Sequence, residues 1–362
     1  MPTSSAEKVL AADPRYPCCT FRGGITALDA ATGKLLWRSY AITEAPQPVG
    51  KSAAGTQLWG PSGAGIWSSP TIDLKQQMVY ATTGDGHSDP AADASDAFVA
   101  LRVASGERAW VRQMTAGDAY NIGCELPTPV NCPKAKGPDF DFGSSPILVE
   151  LANGKRALIA GQKSGVVYAI DPDREGAALW QTRVGRGSAL GGVQWGSAVD
   201  GDHVYVAVSD EATQVVPPEA QGAQKGEYGG LSFRLDPTVG GGLFALSLET
   251  GEVVWHTPHP GCGDVPGCSP AQSAAVTAIP GFVFSGGVDG HLRAYSAKTG
   301  AIVWDVGTQQ TYAAVNRVPA HGGSLDGPGA VVVDGMLYVN SGYTKSGTTP
   351  GNVLLAFSVN GQ

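Results

Sequence analysis

A repeated phrase of eleven residues constrains the fold of this chain more than any other feature. The first copy is ALDAATGKLLW, at residues 27–37. Later copies lie at residues 100–110, 169–180 (one residue longer), 245–255 and 294–304, and a partial copy begins at Leu355. Each copy predicts a β-strand, a tight turn whose glycine allows a positive φ, and a second strand that ends in tryptophan. Repetition of such a unit predicts an array of small β-sheets.

The copies are unequally spaced although the phrase is constant, which indicates a fixed strand scaffold with loops of different lengths. A four-stranded sheet that is repeated radially leaves few exposed sheet edges. The 362 residues include 51 glycines, 25 prolines and only 15% charged residues, a composition typical of many short strands joined by turns. We therefore predict an all-β fold, a β-propeller with about six visible blade units, in which residues 1–362 form a single domain.

The charge pattern and the hydropathy pattern exclude two classes of partner. The net charge is −8 at pH 7, and acidic and basic residues are interleaved, so no basic patch is available for nucleic acid. No apolar stretch is long enough to span a bilayer, and the first twenty residues lack the basic and then apolar pattern of a signal peptide. We expect no nucleic-acid partner and no membrane span.

The six cysteines fall into three close pairs: Cys18 with Cys19, Cys124 with Cys132, and Cys262 with Cys268. An even number and local pairing favour three disulfides and an oxidising compartment, and the alternative is a set of reduced, buried thiols. Neither CxxC nor a Cys/His ligand spacing is present, which disfavours a metal site built on cysteine. The chain also lacks a CxxCH motif, so we expect no c-type haem in it.

Several stretches resemble one enzyme family. The phrase A-x-D-x-x-T-G-x-x-x-W is similar to the repeat of the quinoprotein alcohol dehydrogenases that depend on pyrroloquinoline quinone (PQQ). The polyvinyl alcohol dehydrogenase branch of that family is most similar in five stretches: PCCTFRGGITALDAATG, GPDFDFGSSPILV, LIAGQKSGVVYAIDPD, CSPAQSAAVTAIPG and GMLYVNSGY. The resemblance implies a PQQ site in an eight-bladed propeller, although assembly scaffolds of the outer membrane share the repeat itself.

The resemblance also implies a reaction and a setting. It implies oxidation of secondary alcohols, polymeric or small, to ketones in the periplasm. An aspartate would take the hydroxyl proton, hydride would pass from the carbinol carbon to the quinone C5, and electrons would leave to a cytochrome c. A hypothesis from a different class is a non-catalytic propeller of the same repeats that binds other proteins as a scaffold.

The resemblance implies that residues of this chain contact both faces of the quinone ring. Trp67 matches the tryptophan on which the ring stacks, and a tryptophan that docks between blades is the alternative. Cys18 and Cys19 match the adjacent-cysteine disulfide that covers the other face, and two ordinary buried thiols are the alternative. Consecutive trans residues have Cα atoms about 3.8 Å apart, below the usual disulfide range of about 4.4–6.8 Å, so this ring demands a distorted peptide.

Three charged residues match the reacting groups of the family. Asp85 matches an oxygen ligand of calcium, with a solvated loop acid as the alternative. Asp141 matches the catalytic base, and its apolar neighbours should favour proton uptake; a turn-capping aspartate is the alternative. Lys163 matches a cation that faces the quinone oxygens, and an exposed turn lysine is the alternative.

Four further residues are weaker candidates for the lining of the cofactor pocket: Gln194, Trp195, Asp289 and Asn316. For each of them, packing or turn chemistry is at least as good an explanation.

Two features depart from the family pattern. Cys18 stands where the better-known alcohol dehydrogenases carry a calcium-binding glutamate, which makes calcium less certain than PQQ. The family also has about two more blades on the N-terminal side, a signal peptide, and a cytochrome c part or requirement. We therefore expect that this chain is shortened at its N-terminus and that an incomplete ring would leave open sheet edges.

Overall fold

The computed structural model describes residues 1–221, 223–225, 232–263, 265, 267–343 and 348–359. The chain divides into two compact units. The first comprises residues 1–163 and 168–181, and the second comprises residues 164–167 and 182–362. The prediction that residues 1–362 form a single propeller domain stays a prediction.

The first unit begins with a short strand and one short helix and continues almost entirely in strands. Its elements are β1 (Pro2–Thr3), α1 (Glu7–Leu10), β2 (Gly24–Leu28), β3 (Leu35–Tyr40), β4 (Gln47–Lys51), β5 (Gln57–Gly60), β6 (Ser62–Gly63), β7 (Thr71–Asp73), β8 (Met78–Thr82), β9 (Gly86–Ser88), β10 (Ala97–Arg102), β11 (Arg108–Gln113), β12 (Ile147–Glu150), β13 (Arg156–Gly161), β14 (Val166–Asp171) and β15 (Ala177–Arg183), with 3₁₀ turns at Ile122–Glu125 and Pro172–Arg174. Two residues of β14 and two of β15 belong to the second unit.

The described part of the second unit consists of strands. They are β16 (Ala198–Val199), β17 (His203–Ala207), β18 (Thr213–Val216), β19 (Gln224–Lys225), β20 (Ser232–Leu235), β21 (Gly242–Ser247), β22 (Val253–Pro258), β23 (Thr277–Ile279), β24 (Phe282–Gly286), β25 (His291–Ser296), β26 (Ile302–Gly307), β27 (Thr311–Ala313), β28 (Pro319–His321), β29 (Val331–Val333), β30 (Met336–Ser341) and β31 (Val353–Ser358). No helix in the described ranges is long and apolar enough to cross a membrane.

The strands form sheets of the size expected for propeller blades. In the first unit they are ordered β1-β2-β3, β11-β10-β8-β7 and β12-β13-β14-β15. In the second unit they are ordered β16-β17-β21-β22, β23-β24-β25-β26 and β29-β30-β31. The first and last of these six sheets have three strands and the other four have four, which confirms the prediction of about six units with incomplete first and last members.

The repeated phrase forms the hairpins β2–β3, β10–β11, β21–β22 and β25–β26, which are all antiparallel. In each hairpin the alanine that opens the phrase lies directly opposite the tryptophan that closes it, as Ala27 lies opposite Trp37. A bulge follows this pair in all four hairpins. A small residue therefore faces a large one at a fixed register, and the tryptophan is turned toward the next hairpin of the chain.

The tryptophans then join consecutive repeats within each unit. Trp37 Nε1 donates to the Val103 carbonyl at 2.8 Å, and Trp255 Nε1 donates to the Ala297 carbonyl at 2.9 Å. The turn glycine of the following repeat allows this approach, because a Cβ on Gly106 would lie 2.4 Å from the Trp37 ring. The tryptophan of each of these two repeats therefore binds the following repeat, and its role is structural.

A buried apolar layer in the first unit lies between its second and third sheets. Tyr80 and Phe98 of the second sheet pack with Phe142, Leu158 and Ile170, all of them at most 2% exposed. Phe142 directly follows Asp141, so this packing fixes the backbone that presents the predicted base.

Candidate active site

Three aspartates converge in the first unit, and the structure buries all of them. Asp85 follows β8 in the sequence TGD, whereas Asp139 and Asp141 lie just before β12. One carboxylate oxygen from each lies within 4.8 Å of the others. The backbone N–H of Asp85 donates to Asp141 Oδ1 at 2.6 Å, which ties the two segments together. We call these residues the three-aspartate cluster.

Two lysines neutralise part of the cluster's charge. Lys163, in the turn after β13, places its Nζ 2.5 Å from Asp141 Oδ2 and 3.4 Å from Asp139 Oδ2. Lys8, in helix α1, contacts Asp139 at 2.9 Å, Asp85 at 3.2 Å and Asp141 at 3.4 Å. The cluster is therefore a buried network of three carboxylates and two ammonium groups.

The three carboxyl groups differ in their affinity for a proton. Burial alone would raise the pKa of Asp141, but the nearby Lys163 and Lys8 ammonium groups outweigh it and hold that pKa well below its usual range. Burial raises the pKa of Asp139 to about 6 against the pull of Lys8 and Lys163. Burial also raises the pKa of Asp85 well above its usual range, with Lys8 opposing the shift. Asp141 is therefore the member that keeps its negative charge. The expectation that its apolar neighbours would favour proton uptake is wrong, because the two ammonium groups outweigh the effect of burial.

Trp67 lies beside the charged network. The Lys163 Nζ is 5.5 Å from the centroid of the Trp67 ring, within the range of a cation–π contact. Gly84 makes room for this arrangement, because a Cβ there would lie 2.3 Å from Asp141 Oδ1 and 3.4 Å from Trp67 Nε1. The half-buried ring thus combines an apolar face with an adjacent cation and a carboxylate.

The adjacent cysteines form a disulfide, as predicted. Both are buried, their Cα atoms are 3.0 Å apart, and the peptide bond between them is cis, which is the distorted peptide that such a ring needs. Cys19 Sγ lies 3.9 Å from the carbonyl oxygen of His87, two residues after Asp85. The pairs Cys124–Cys132 and Cys262–Cys268 are also disulfides, so all six cysteines are oxidised.

The sequence analysis did not identify two residues of helix α1, Glu7 and Lys8, as candidates. Glu7 is buried and accepts the backbone N–H groups of Thr20 and Phe21 at 2.8 and 2.9 Å, directly after the disulfide. Its neighbour Lys8 reaches the cluster. Helix α1 has only four residues, which is too short for a hydrophobic periodicity from which the helix could be predicted.

Asp139 was also missed as a site residue, although it belongs to the stretch PDFD that carried the resemblance. Its signal was a second aspartate two residues before Asp141. Asp139 has φ of 61°, so the segment is not an extended strand and the strand period could not have predicted the contact. The structure places both carboxylates in one cluster.

The four weaker candidates belong to the second unit, and each has a local environment of its own. Gln194 is buried, and Trp195 Nε1 donates to Asp326 Oδ1 at 3.3 Å. Asp289 accepts hydrogen bonds from Arg293 at 2.6 Å and pairs with His259 at 3.1 Å. Asn316 is exposed and its side chain accepts the backbone N–H of Val318. Their role as cofactor ligands stays a prediction.

The cluster fits a hard divalent cation by its donor set. Three carboxylates converge, and Asp85 Oδ2 is buried without a hydrogen-bond partner among the described residues. Calcium takes carboxylate oxygens as ligands, so Asp85, Asp139 and Asp141 have the chemistry to hold it. Cys18 is bonded to Cys19 and contributes nothing to this donor set.

Comparisons with known proteins identify similar chains. A family profile described as "Glucose/ethanol/alcohol dehydrogenase, beta-propeller domain" matches residues 11–186, and one described as "Outer membrane protein assembly factor BamB" matches residues 163–335. The polyvinylalcohol dehydrogenase of a Pseudomonas species is 41% identical, over 100% of this chain and 55% of the relative. The polyvinylalcohol dehydrogenase of Sphingopyxis sp. (strain 113P3) is 40% identical, again over 100% of this chain and 55% of the relative.

Among solved structures, the quinohemoprotein alcohol dehydrogenase of Comamonas testosteroni superposes with a TM-score of 0.60 at 17% identity, over 95% of this chain and 57% of that chain. A europium-containing methanol dehydrogenase gives a TM-score of 0.58 at 17% identity, over 93% of this chain and 63% of that chain. These similarities show the fold. The chain spans about half the length of the curated relatives that it matches.

Proposed function

We propose that this chain is a PQQ-dependent alcohol dehydrogenase that oxidises secondary alcohols such as polyvinyl alcohol units to ketones. The support is the alcohol dehydrogenase profile that matches residues 11–186, together with the 40–41% identity to two polyvinylalcohol dehydrogenases. One observation carries the proposal. An ionised, buried aspartate, Asp141, lies between a lysine and a backbone N–H, next to a half-buried tryptophan. A protein-binding scaffold requires none of these groups in this arrangement.

Asp141 is the base in this proposal. The Asp85 N–H fixes its Oδ1, and Lys163 lies against its Oδ2, so the carboxylate is oriented before an alcohol arrives. Lys163 and Lys8 keep Asp141 in the charged form, which is the form that can accept the hydroxyl proton. PQQ, when bound, would supply the redox chemistry as the hydride acceptor.

In this proposal the cofactor stacks between Trp67 and the Cys18–Cys19 disulfide and contacts the Lys163 ammonium group. Trp67 presents a flat, rigid face on which the planar quinone ring would stack, and the disulfide of Cys18 and Cys19 would cover the other face. Lys163 would stabilise the negative charge that develops on a quinone oxygen. Gln194, Trp195, Asp289 and Asn316 are the further proposed lining residues.

Calcium is the metal that we propose for the site. Asp85, Asp139 and Asp141 would supply its ligands from the three-aspartate cluster. The cation would also favour the charged form of Asp141, which is the form that the proposed base needs.

We propose an oxidising compartment, the periplasm, and an external cytochrome c as the electron acceptor. The three disulfides support the compartment, because such bonds persist where thiols are not kept reduced. The acceptor is proposed outside this chain because its sequence carries no CxxCH motif.

The test is reconstitution with PQQ and calcium, followed by dye reduction that depends on polyvinyl alcohol. We expect Asp141→Asn to lower kcat by about 100-fold to 10,000-fold, as loss of a general base does, while quenching of tryptophan fluorescence by PQQ persists. Glu107→Gln, on the exposed repeat turn, is the matched control and should leave kcat unchanged. Undiminished activity in Asp141→Asn would exclude this base, and a folded protein with neither quenching nor activity would favour the scaffold hypothesis.

A further inference from the structure

Lys8 contacts every member of the three-aspartate cluster. Its Nζ lies 2.9 Å from Asp139, 3.2 Å from Asp85 and 3.4 Å from Asp141. Lys163 contacts only two of them, Asp139 and Asp141. The ammonium group of Lys8 is therefore the cation that faces the whole set of oxygens to which a divalent ion would bind.

The Lys8 side chain is also freer than the Lys163 side chain to move out of the three-aspartate cluster. The side chain of Lys163 is 6% exposed, whereas that of Lys8 is 23% exposed and starts from a helix of four residues. A lysine stem is flexible and carries its charge on a single compact group. Lys8 can reach solvent by rotating its own side chain while Glu7 keeps the helix fastened to the backbone N–H groups of Thr20 and Phe21.

The cluster also has an unsatisfied oxygen that points to a ligand other than lysine. Asp85 is 2% exposed, and its Oδ2 has no hydrogen-bond partner among the described residues. Leaving a buried carboxylate oxygen unpaired is costly. An ammonium group that already contacts three aspartates therefore satisfies this site incompletely, and a cation with more ligand positions would complete it.

We propose that the Lys8 side chain is a tethered cation that occupies the position of the divalent ion in the three-aspartate cluster and must swing out when that ion binds. This inference rests on the metal site of the proposed function. Calcium bound at about 2.3–2.6 Å from these oxygens would face the same atoms as the ammonium group and would be repelled by its charge. Lys8 thus lowers the metal affinity of the propeller and sets the calcium concentration at which the site fills.

Calcium titration of the metal-free full chain by calorimetry, without PQQ, tests the competition. We expect Lys8→Gln, which keeps most of the stem and removes the charge, to bind calcium at least about tenfold tighter than the wild type, equivalent to about 1.4 kcal/mol. Lys34→Gln changes an exposed lysine of the repeat turn and should bind as the wild type does. Equal affinity in Lys8→Gln and the wild type, or no calcium binding in either, would overturn the proposal.

A second measurement needs no variant and is therefore independent of folding defects. Amine acylation of the wild-type chain, read for each lysine by peptide mass spectrometry, should be slow at Lys8 without calcium and several-fold faster with saturating calcium. Lys34 should react equally in both states. Unchanged protection of Lys8 after calcium has bound would show that the side chain stays in the cluster, and the proposal would then be wrong.

These two measurements distinguish a failure of this proposal from a failure of the proposed function. Calcium affinity and lysine acylation are measured without PQQ or alcohol, whereas the proposed function is measured by quenching of tryptophan fluorescence and dye reduction. A chain that shows the Lys8 effect but never reduces dye retains this inference and loses the enzyme activity. A chain that reduces dye with an unaltered Lys8→Gln calcium affinity retains the activity and loses this inference.

Discussion

Asp289 lies in a buried ion network of the second unit. Its Oδ2 accepts from Arg293 at 2.6 Å and lies 3.1 Å from His259 Nε2, and its Oδ1 accepts the backbone N–H of His291 at 3.1 Å. Arg293 continues to Asp305 at 3.0 Å. Burial alone would raise the pKa of Asp289, but His259 and Arg293 outweigh it and lower that pKa to about 2. The charged form is therefore favoured by folding.

This depressed pKa predicts how stability depends on pH. The contribution of Asp289 is present above the carboxyl pKa of the unfolded chain, 3.8, and is lost as the pH falls toward about 2. We expect Asp289→Asn to lower the free energy of unfolding by about 2 kcal/mol at pH 7, and the deficit to shrink between about pH 4 and pH 2. Urea unfolding at several pH values measures this. The exposed Asp202→Asn is the control, and a deficit that is independent of pH would contradict the assignment.

The residues of the candidate site were predictable where a short motif carried them. Asp141 and Lys163 each stand in a stretch that resembles the family, whereas Asp85 matches a family position outside those stretches. The structure brings the three residues together beside Trp67. Lys8 had no such motif. Its contact with Asp139 joins residues 131 positions apart, and nothing in the local sequence encodes a contact of that separation.

At the scale of elements, the turn glycines of the repeat serve two different purposes. Gly33 has φ of 69° and Gly106 has φ of 71°, so both adopt the left-handed conformation that favours glycine. A Cβ on Gly33 would meet nothing within 4 Å, whereas on Gly106 it would lie 2.4 Å from the Trp37 ring. Gly106 therefore also makes space for the tryptophan of the preceding repeat.

These two glycines are a matched pair for measuring the docking contact. Both Gly33→Ala and Gly106→Ala introduce the strain of a positive φ, about 1–2 kcal/mol. Gly106→Ala should lower the free energy of unfolding by about 1–3 kcal/mol more than Gly33→Ala, because overpacking against Trp37 is added. Denaturant unfolding of the two variants gives the difference. Equal destabilisation would mean that the tryptophan moves aside at no cost and that docking contributes little.

The hairpins of the repeat were predictable because their signal is local. Alternating apolar residues, a turn glycine and a closing tryptophan lie within eleven residues, and the structure forms β2–β3 from the first copy. The small accessory sheets were not predicted. The pairs β4–β5 and β6–β9 lie outside the repeated phrase, where tertiary contacts rather than a local pattern select the pairing.

At the scale of the whole molecule, the groups assigned to the chemistry are concentrated in the first unit. Lys163, the three aspartates and Trp67 all lie between residues 1 and 163, and so do the adjacent cysteines. The remaining proposed cofactor ligands lie in the second unit. A measurement that reports every segment of the chain separately can therefore test both groups at once.

Amide hydrogen exchange with and without PQQ and calcium is that measurement. A ligand present at 100 times its Kd stabilises the native state by about 2.7 kcal/mol, so exchange that requires opening of the site should slow by about 100-fold. We expect this slowing at residues 83–87 and 139–143, because the Asp85 N–H and the backbone around Asp141 are built into the cluster. The accessory strand Thr213–Val216, which carries none of the proposed ligands, should exchange at an unchanged rate. Slower exchange in the segments that contain Gln194, Trp195, Asp289 or Asn316 would assign those residues to the cofactor site. Unchanged exchange at residues 83–87 and 139–143 would show that the three-aspartate cluster does not bind PQQ or calcium.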